Sequence, residues 1–230
     1  MYIILLSGGM DSALNLAFAA KENKASLALT IRYGQRAADS ECMAGEKLCK
    51  YYNVPWKPIS LEWLGEVNVT GLTRPEQKLP HLQTNELDSM NASSASMKAV
   101  WVANRNGVFL NVAAAYAEAL NVSHVLAGFN REEAATFPDN SVEFIEALNR
   151  SFFYSTQNHV QVESFTKNFD KTEILAQALK INMPLDFVWS CYEGGTKRCW
   201  KCESCKRTER ALLANGKKGQ EWLTTMGWET

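Results

Sequence analysis

Along this 230-residue chain, short continuous apolar runs alternate with longer stretches of helical spacing. The run Tyr2-Ile3-Ile4-Leu5-Leu6 has the length and continuity of a buried parallel strand. Residues 13–20 favour a helix by composition. Residues 26–31 read as a second strand, a helix follows over about 37–52, and 56–59 after Pro55 form a short third strand. Residues 108–120 are apolar at helical spacing, and 123–128 make the next strand, running into Phe129 and Asn130. Asp139-Asn140-Ser141, with Glu143 in the first turn, starts a helix that runs to about Tyr154. A short strand at 160–162 and a helix from an Asp170 cap through Lys180 complete the pattern before Pro184. Strands alternating with helices predict an α/β fold, a parallel sheet covered on both faces.

One stretch breaks the alternation. Residues from about 62 to 105 have no sustained periodicity and carry Pro75, Pro80 and a polar tract over 85–96. A long irregular insert in a compact domain is read here as a mobile lid over a ligand. The expected organisation is a main domain over 1–185 containing that insert, then a cysteine-bearing segment with a C-terminal helix or tail over 186–230. No internal repeat, low-complexity tract or linker stands out.

The 46% hydrophobic and 21% charged content belongs to a soluble globular protein. A net charge of −1 gives no global field to recruit nucleic acid, so none is expected as a partner. No apolar run approaches the length of a membrane span. Met1 leads directly into the first strand, leaving no room for a cleavable signal, and a cytoplasmic address is expected.

The chemistry concentrates in the turn after the first strand, Ser7-Gly8-Gly9-Met10-Asp11-Ser12. Two glycines let backbone N–H groups face one point, and the positive end of the following helix faces the same point. No lysine sits in the loop, so it is not a Walker A motif. In an open parallel sheet, such a turn lies at the carboxyl ends of the strands, where ligands bind.

Cys191, Cys199, Cys202 and Cys205 supply four sulfurs within fifteen residues. Cytosolic clustering of this kind points to a metal rather than to disulfides. Short C-x2-C turns converge sulfurs on one tetrahedral ion; zinc is favoured over an iron–sulfur cluster, and four cysteines leave no open position for chemistry. Cys42 and Cys49 read as small core residues, and His124 as structural.

The loop resembles the PP-loop of ATP pyrophosphatases. With Tyr33-Gly34-Gln35-Arg36, Arg105-Asn106, Pro138-Asp139, Lys171 and the cysteine tetrad in view, the chain resembles the 7-cyano-7-deazaguanine synthase (QueC) family from Tyr2 to about Ala211. That resemblance implies an adenine-nucleotide α-hydrolase-like, Rossmann-like sheet with a zinc-binding C-terminal segment. It implies ATP, Mg²⁺ and Zn²⁺, a small 7-deazaguanine substrate, ammonia as the amine, and a homodimer. ATP is cleaved to AMP and pyrophosphate as the carboxylate of 7-carboxy-7-deazaguanine is adenylated, and the nitrile precursor of queuosine follows. Leu6, Ser7, Gly8, Gly9, Met10, Asp11, Ser12, Tyr33, Gln35, Arg36 and Lys171 are expected around the nucleotide. Arg105, Asn106, Asn130 and Asp139 are expected around the substrate, and Asp11, Lys171, Arg105 and Asp139 at the reacting groups.

Departures from the family pattern cluster near the expected substrate pocket. Ala103-Asn104 replaces Pro-Gly before Arg105-Asn106, and Asn104 tolerates the left-handed backbone that such a turn needs. Phe137-Pro138-Asp139-Asn140-Ser141 lacks the thiol and guanidinium of the family's Tyr-Pro-Asp-Cys-Arg. These changes raise an alternative, in which the activated acyl group passes to a protein or peptide amine and stops at the amide, as in QueC-like proteins of antiviral defence. A tRNA-modifying PP-loop enzyme is a further alternative.

Overall fold

The computed structural model describes residues 1–228. Its centre is one parallel sheet of five strands, β1 (Tyr2–Leu5), β2 (Ala25–Arg32), β3 (Trp56–Ser60), β4 (His124–Leu126) and β5 (Gln161–Glu163). Their spatial order is β3-β2-β1-β4-β5. The chain walks outward from β1 to β3, then crosses to the other side of β1 for β4 and β5. Neighbouring connections therefore diverge at the β1/β4 boundary, and a crevice opens at the carboxyl end of those strands.

Among the described residues, ten α-helices surround the sheet or extend it: α1 (Met10–Lys21), α2 (Ala38–Tyr52), α3 (Glu62–Val67), α4 (Met90–Val100), α5 (Arg105–Ala119), α6 (Arg131–Ala134), α7 (Val142–Ser155), α8 (Lys171–Lys180), α9 (Glu203–Ala214) and α10 (Gly216–Thr225). Successive strand residues face opposite sides, so the two fully buried isoleucines of β1 serve different cores. Ile4 packs with Leu14, Leu48, Ile174 and Leu212, beneath α1, α2, α8 and α9. Ile3 packs with Leu29, Leu110, Val125 and Phe152, beneath α5 and α7. Because both sides of β1 are covered, its sequence is continuously apolar rather than alternating. No helix among the described residues is long and apolar enough to cross a membrane.

Two departures from the sequence pattern bear on the site. α1 begins at Met10, not at 13, with Gly9 as its N-cap, so Asp11 and Ser12 lie inside its first turn. The stretch expected to be irregular contains α4, whose serine-rich sequence lacks a hydrophobic period. That helix is held by bonds local pattern does not reveal. The Ser89 hydroxyl accepts the Ala92 N–H, Ser93 Oγ donates to the Leu87 carbonyl at 2.9 Å, and Ser96 Oγ donates to Glu203 across 107 residues of sequence. Tertiary contacts override weak helix propensity here.

Candidate active site

The turn after β1 is shaped by close packing. Gly8 has φ +76°, a left-handed conformation, and a Cβ there would lie 2.8 Å from Ala44 Cβ on α2. At the end of β4, a Cβ on Gly128 would lie 2.6 Å from the Ser12 nitrogen, so the two strand ends close on each other only through glycine. Ser7 Oγ and Ser12 Oγ stand 3.1 Å apart, Ser12 Oγ donates to the Gly9 carbonyl at 3.0 Å, and the Gly8 carbonyl accepts the Trp189 N–H at 2.8 Å. The first N–H groups of α1 are left facing the crevice, where an anion suits both their donors and the helix dipole.

An ionic triad stands beside this turn, with Asp11 and Lys171 buried and the Glu133 side chain 31% exposed. Lys171, the first residue of α8, donates from Nζ to Asp11 Oδ2 at 2.5 Å and to Glu133 Oε1 at 3.1 Å. Asp170 caps that helix and Glu173 returns to the Asp170 N–H, which sets where Lys171 emerges. Burial opposes the ammonium charge, but Asp11 and Glu133 hold Lys171 protonated, above its ordinary value. Burial pushes the Asp11 carboxyl up against the pull of the same lysine. Asn130 completes the group by donating to Asp11 Oδ2 at 3.3 Å and accepting the Glu133 N–H at 2.8 Å. Asp11 Oδ1 is buried with no hydrogen-bond partner among the described residues.

These groups open on a cavity of about 240 Å³. Its far wall, at the end of β2, holds Tyr33, Glu41, Phe109 and Arg105. Arg105 begins α5 after Asn104, whose φ of +54° is the left-handed turn that asparagine accommodates. Burial disfavours the Arg105 charge, yet Tyr33 and Asp139 hold its guanidinium above its ordinary value. Glu41 Oε2 accepts the Gln35 amide at 2.7 Å. Burial pushes the Glu41 carboxyl up to about 7, against that hydrogen bond and against Arg105.

The third wall comes from the cysteine segment. The four sulfurs of Cys191, Cys199, Cys202 and Cys205 lie within 4.8 Å of one another. Ligands about 2.3 Å from a tetrahedral ion sit roughly 3.8 Å apart, and Cys199 Sγ lies 3.9 Å from Cys205 Sγ. Backbone N–H groups of Cys199, Lys201 and Cys202 point at sulfurs from 3.3–3.4 Å, as thiolates holding a metal require. Cys202 is the N-cap of α9, and α9 carries Glu203, Ser204 and Arg207 into the cavity lining. Arg207 pairs with Glu203 at 2.7 Å and also with Glu132, next to Glu133 on α6.

Of the residues expected from sequence, Leu6, Ser7, Gly9, Met10, Asp11, Ser12, Tyr33, Arg105, Asn106 and Lys171 line the cavity. Others stand behind it. Gln35 braces the end of β2, taking the Tyr33 N–H at 2.8 Å and donating to the Ile31 carbonyl at 3.0 Å. The guanidinium of Arg36 is occupied by Glu193 and by the carbonyls of Arg74 and Pro75 at 2.8 and 3.0 Å; it ties the insert to the cysteine segment. Asp139 meets Asn106 through its backbone carbonyl at 3.2 Å. Burial raises its carboxyl while Arg105 opposes the rise. Glu41, Glu133, Glu203 and Arg207 were not singled out from sequence. Asn130-x-x-Glu133 is a helix-start pattern that was legible; Glu41 and Arg207 reach the cavity only through tertiary packing.

A model of the queuosine biosynthesis protein QueC family matches residues 1–216. The 7-cyano-7-deazaguanine synthase of Desulforamulus reducens is 48% identical over 214 residues, covering 93% of this chain and 94% of that protein. That of Methanosarcina mazei is 44% identical over 219 residues, covering 94% and 95%. Among solved structures, the NMN synthetase from Francisella tularensis aligns with a TM-score of 0.48 at 15% identity, over 98% of this chain and 82% of that one.

Proposed function

Because this chain belongs to the family of the queuosine biosynthesis protein QueC, we propose that it is an ATP-dependent, C–N bond-forming enzyme of the cytoplasm that converts 7-carboxy-7-deazaguanine and ammonia into 7-cyano-7-deazaguanine. One observation carries the reading from family to site. A glycine-lined anion turn braced by Lys171 and a buried guanidinium, Arg105, face the same cavity.

The chemistry runs in two activations. The substrate carboxylate attacks the α-phosphorus of ATP, the bond to the bridging oxygen breaks, and pyrophosphate leaves. Ammonia attacks the acyl carbon, AMP departs, and a primary amide forms with loss of a proton. The amide oxygen then attacks the α-phosphorus of a second ATP, a second pyrophosphate and one N–H proton leave, and departure of AMP with the other N–H proton gives the nitrile. In this reading, the α1 N–H groups with Ser7 and Ser12 receive the outgoing diphosphate, and Lys171 balances its growing charge. Arg105 orients the acid through its planar fork, supported by Asn106 and Asp139. Asn130 works through Asp11, which it holds. Gln35 and Arg36 act from behind the cavity, Gln35 by holding Glu41 and the end of β2, Arg36 by tying the insert to the cysteine segment. Leu72 and Val100 bring the 62–105 insert to the cavity, which supports its role as a lid.

Two ions fit the residues present. The partnerless Asp11 Oδ1, with Glu133 close by, offers hard oxygen donors suited to Mg²⁺. Such an ion, when bound, shields phosphate charge. Four converging sulfurs with no open position suit a structural Zn²⁺.

The test is a product assay. Purified protein is incubated with ATP, 7-carboxy-7-deazaguanine and ammonia, with mass spectrometry for products and a coupled assay for pyrophosphate. Nitrile with two AMP per turnover is the expected result. An amide end product would favour conjugation to another amine, and release of ADP with inorganic phosphate would overturn the reading.

A further inference from the structure

Four carboxylates line the cavity, those of Asp11, Glu41, Glu133 and Glu203. Three are spoken for: Asp11 and Glu133 by Lys171, and Glu203 by Arg207 and Ser96. Glu41 differs. No ion pair reaches it among the described residues, and its hydrogen bond comes from a neutral amide, Gln35 Nε2. The sense of that bond is set by the network around it. Gln35 Oε1 takes the Tyr33 N–H, so its nitrogen must be the atom facing Glu41 Oε2. The other oxygen, Oε1, remains an acceptor at the cavity wall.

Burying a carboxylate without a counter-cation is costly unless donors are supplied. Glu41 is only partly buried, so water supplies donors while the cavity is free, and a ligand that displaces this water has to replace them. The N1–H and 2-amino groups of a guanine-type base form an edge of adjacent donors that a carboxylate accepts together. An adenine edge instead presents the N1 lone pair beside a single amino group, which sets a lone pair against the carboxylate. Tyr33 and Phe109 pack on each other at a tilt of 55° with ring centres 5.4 Å apart, and together they give this wall an apolar aromatic surface for one face of a flat base. Arg105, on the same wall, is a donor for the oxygen-bearing edge of such a base. The charged and titratable groups around Glu41 are Arg105 from α5, Tyr33 from the end of β2 and the neighbouring thiol Cys42 on α2.

We propose that Glu41 is the specificity-determining residue for the acid substrate, accepting the N1–H and 2-amino donors of a guanine-type base lodged between the end of β2 and α5. This rests on the reading of the site as one for 7-carboxy-7-deazaguanine, which the product assay tests separately.

Binding decides the inference directly. The wild type and Glu41→Gln are titrated calorimetrically with 7-carboxy-7-deazaguanine and with the same acid lacking the 2-amino group, and in parallel with ATP. The replacing amide keeps an oxygen for the Gln35 donor, and thermal melts report whether the fold is retained. The wild type should prefer the 2-amino acid by about 10- to 150-fold, the range for a hydrogen bond to a charged acceptor. Glu41→Gln should lose that preference to within about threefold while binding ATP as the wild type does. Retention of the full preference in the variant overturns the inference. So does a weakening confined to ATP, which would put adenine at this wall. Because binding is read without turnover, a wild type that made no nitrile would count against the proposed function alone.

Discussion

Lys171 offers the sharpest test of the phosphate site, because its removal separates folding from chemistry. Its ammonium lies 2.5 Å from Asp11 and 3.1 Å from Glu133, with the side chain only 10% exposed. In Lys171→Met, two carboxylates face each other in a buried place with no cation between them. Breaking a buried pair in this way costs about 3–5 kcal/mol. At roughly 2–4 °C per kcal/mol for a chain of this size, melting should fall by about 6–20 °C. The stability defect has a signed pH dependence. Both carboxyls titrate above their unfolded values once the lysine is gone, so the variant's stability is fully present at low pH and is lost as pH rises through the raised values. Pyrophosphate release should fall by about 100- to 1,000-fold, the scale for losing a positioned electrostatic partner of the transition state. The double variant Lys171→Met/Glu133→Gln divides the two effects. Neutralising Glu133 should recover about half of the lost stability and none of the pyrophosphate release. Parallel denaturant melts and coupled pyrophosphate assays measure both. A single variant that keeps its melting temperature within about 2 °C would refute the buried-pair argument, and a single variant that keeps its pyrophosphate release, or a double variant that regains it along with stability, would refute the phosphate role.

Further outcomes follow from the same geometry. Gly8→Ala must adopt φ +76° and meet Ala44 at 2.8 Å; a loss of about 1–3 kcal/mol and a tenfold or greater rise in KM for ATP are expected from melts and steady-state kinetics. Glu41 carries a carboxyl raised from 4.5 to about 7 by burial, so its folded form favours the proton and its stabilising share is lost as pH rises through 7. Glu41→Gln should therefore gain on the wild type by about 2.5 kcal/mol between pH 5 and pH 8, and a flat difference would disprove the burial argument. Acid-substrate binding by the wild type should weaken about tenfold per unit below pH 7, since the ionised carboxylate is the acceptor. Cys202→Ser should lower the metal content of the purified chain, read by atomic absorption, and weaken unfolding resistance by several kcal/mol.

What was legible beforehand was local chemistry on regular elements. The β1 run, the glycine turn, the Asp170 cap and the cysteine spacing each carry their structural reason within a few residues, and each was readable. Lys171 needed more: its place beside Asp11 depends on α8 packing against α1, and the family resemblance supplied it. Arg36 shows the opposite case. A guanidinium near a nucleotide loop suggests phosphate, yet here it is occupied by Glu193 and backbone carbonyls. Sequence spacing does not reveal that a carbonyl cluster from 40 residues away will claim it. α4 was missed for a related reason. Its helix is fixed by Ser93 and Ser96 bonding outside it, and a serine-rich stretch reads as loop until those partners are known.

The cysteine tetrad is more than a clip on the C-terminal end. Cys202 caps α9, and its neighbour Glu203 holds Ser96 on the insert and Arg207 on the next turn. Arg207 and Arg210 both converge on Glu132. The other oxygen of Glu132 accepts the Lys171 N–H at 3.3 Å. Four sulfurs are thereby joined through three side chains to the lysine of the phosphate turn, and His81 pairs with Cys202 from the insert side. Arg210 extends the chain to Asp88 at 2.8 Å. Ala211 and Leu212 pack the far end of α9 into the core, whereas its first turn is tied to the sulfurs of Cys202 and Cys205, where metal binding energy on the order of 10–16 kcal/mol would fix it. Loss of the ion should then disturb the insert and the Lys171 region together, and hydrogen exchange should show protection falling at 81–100 and 131–134 along with α9. Protection falling only within 191–205 would mean that the tetrad stabilises its own loop and nothing beyond it.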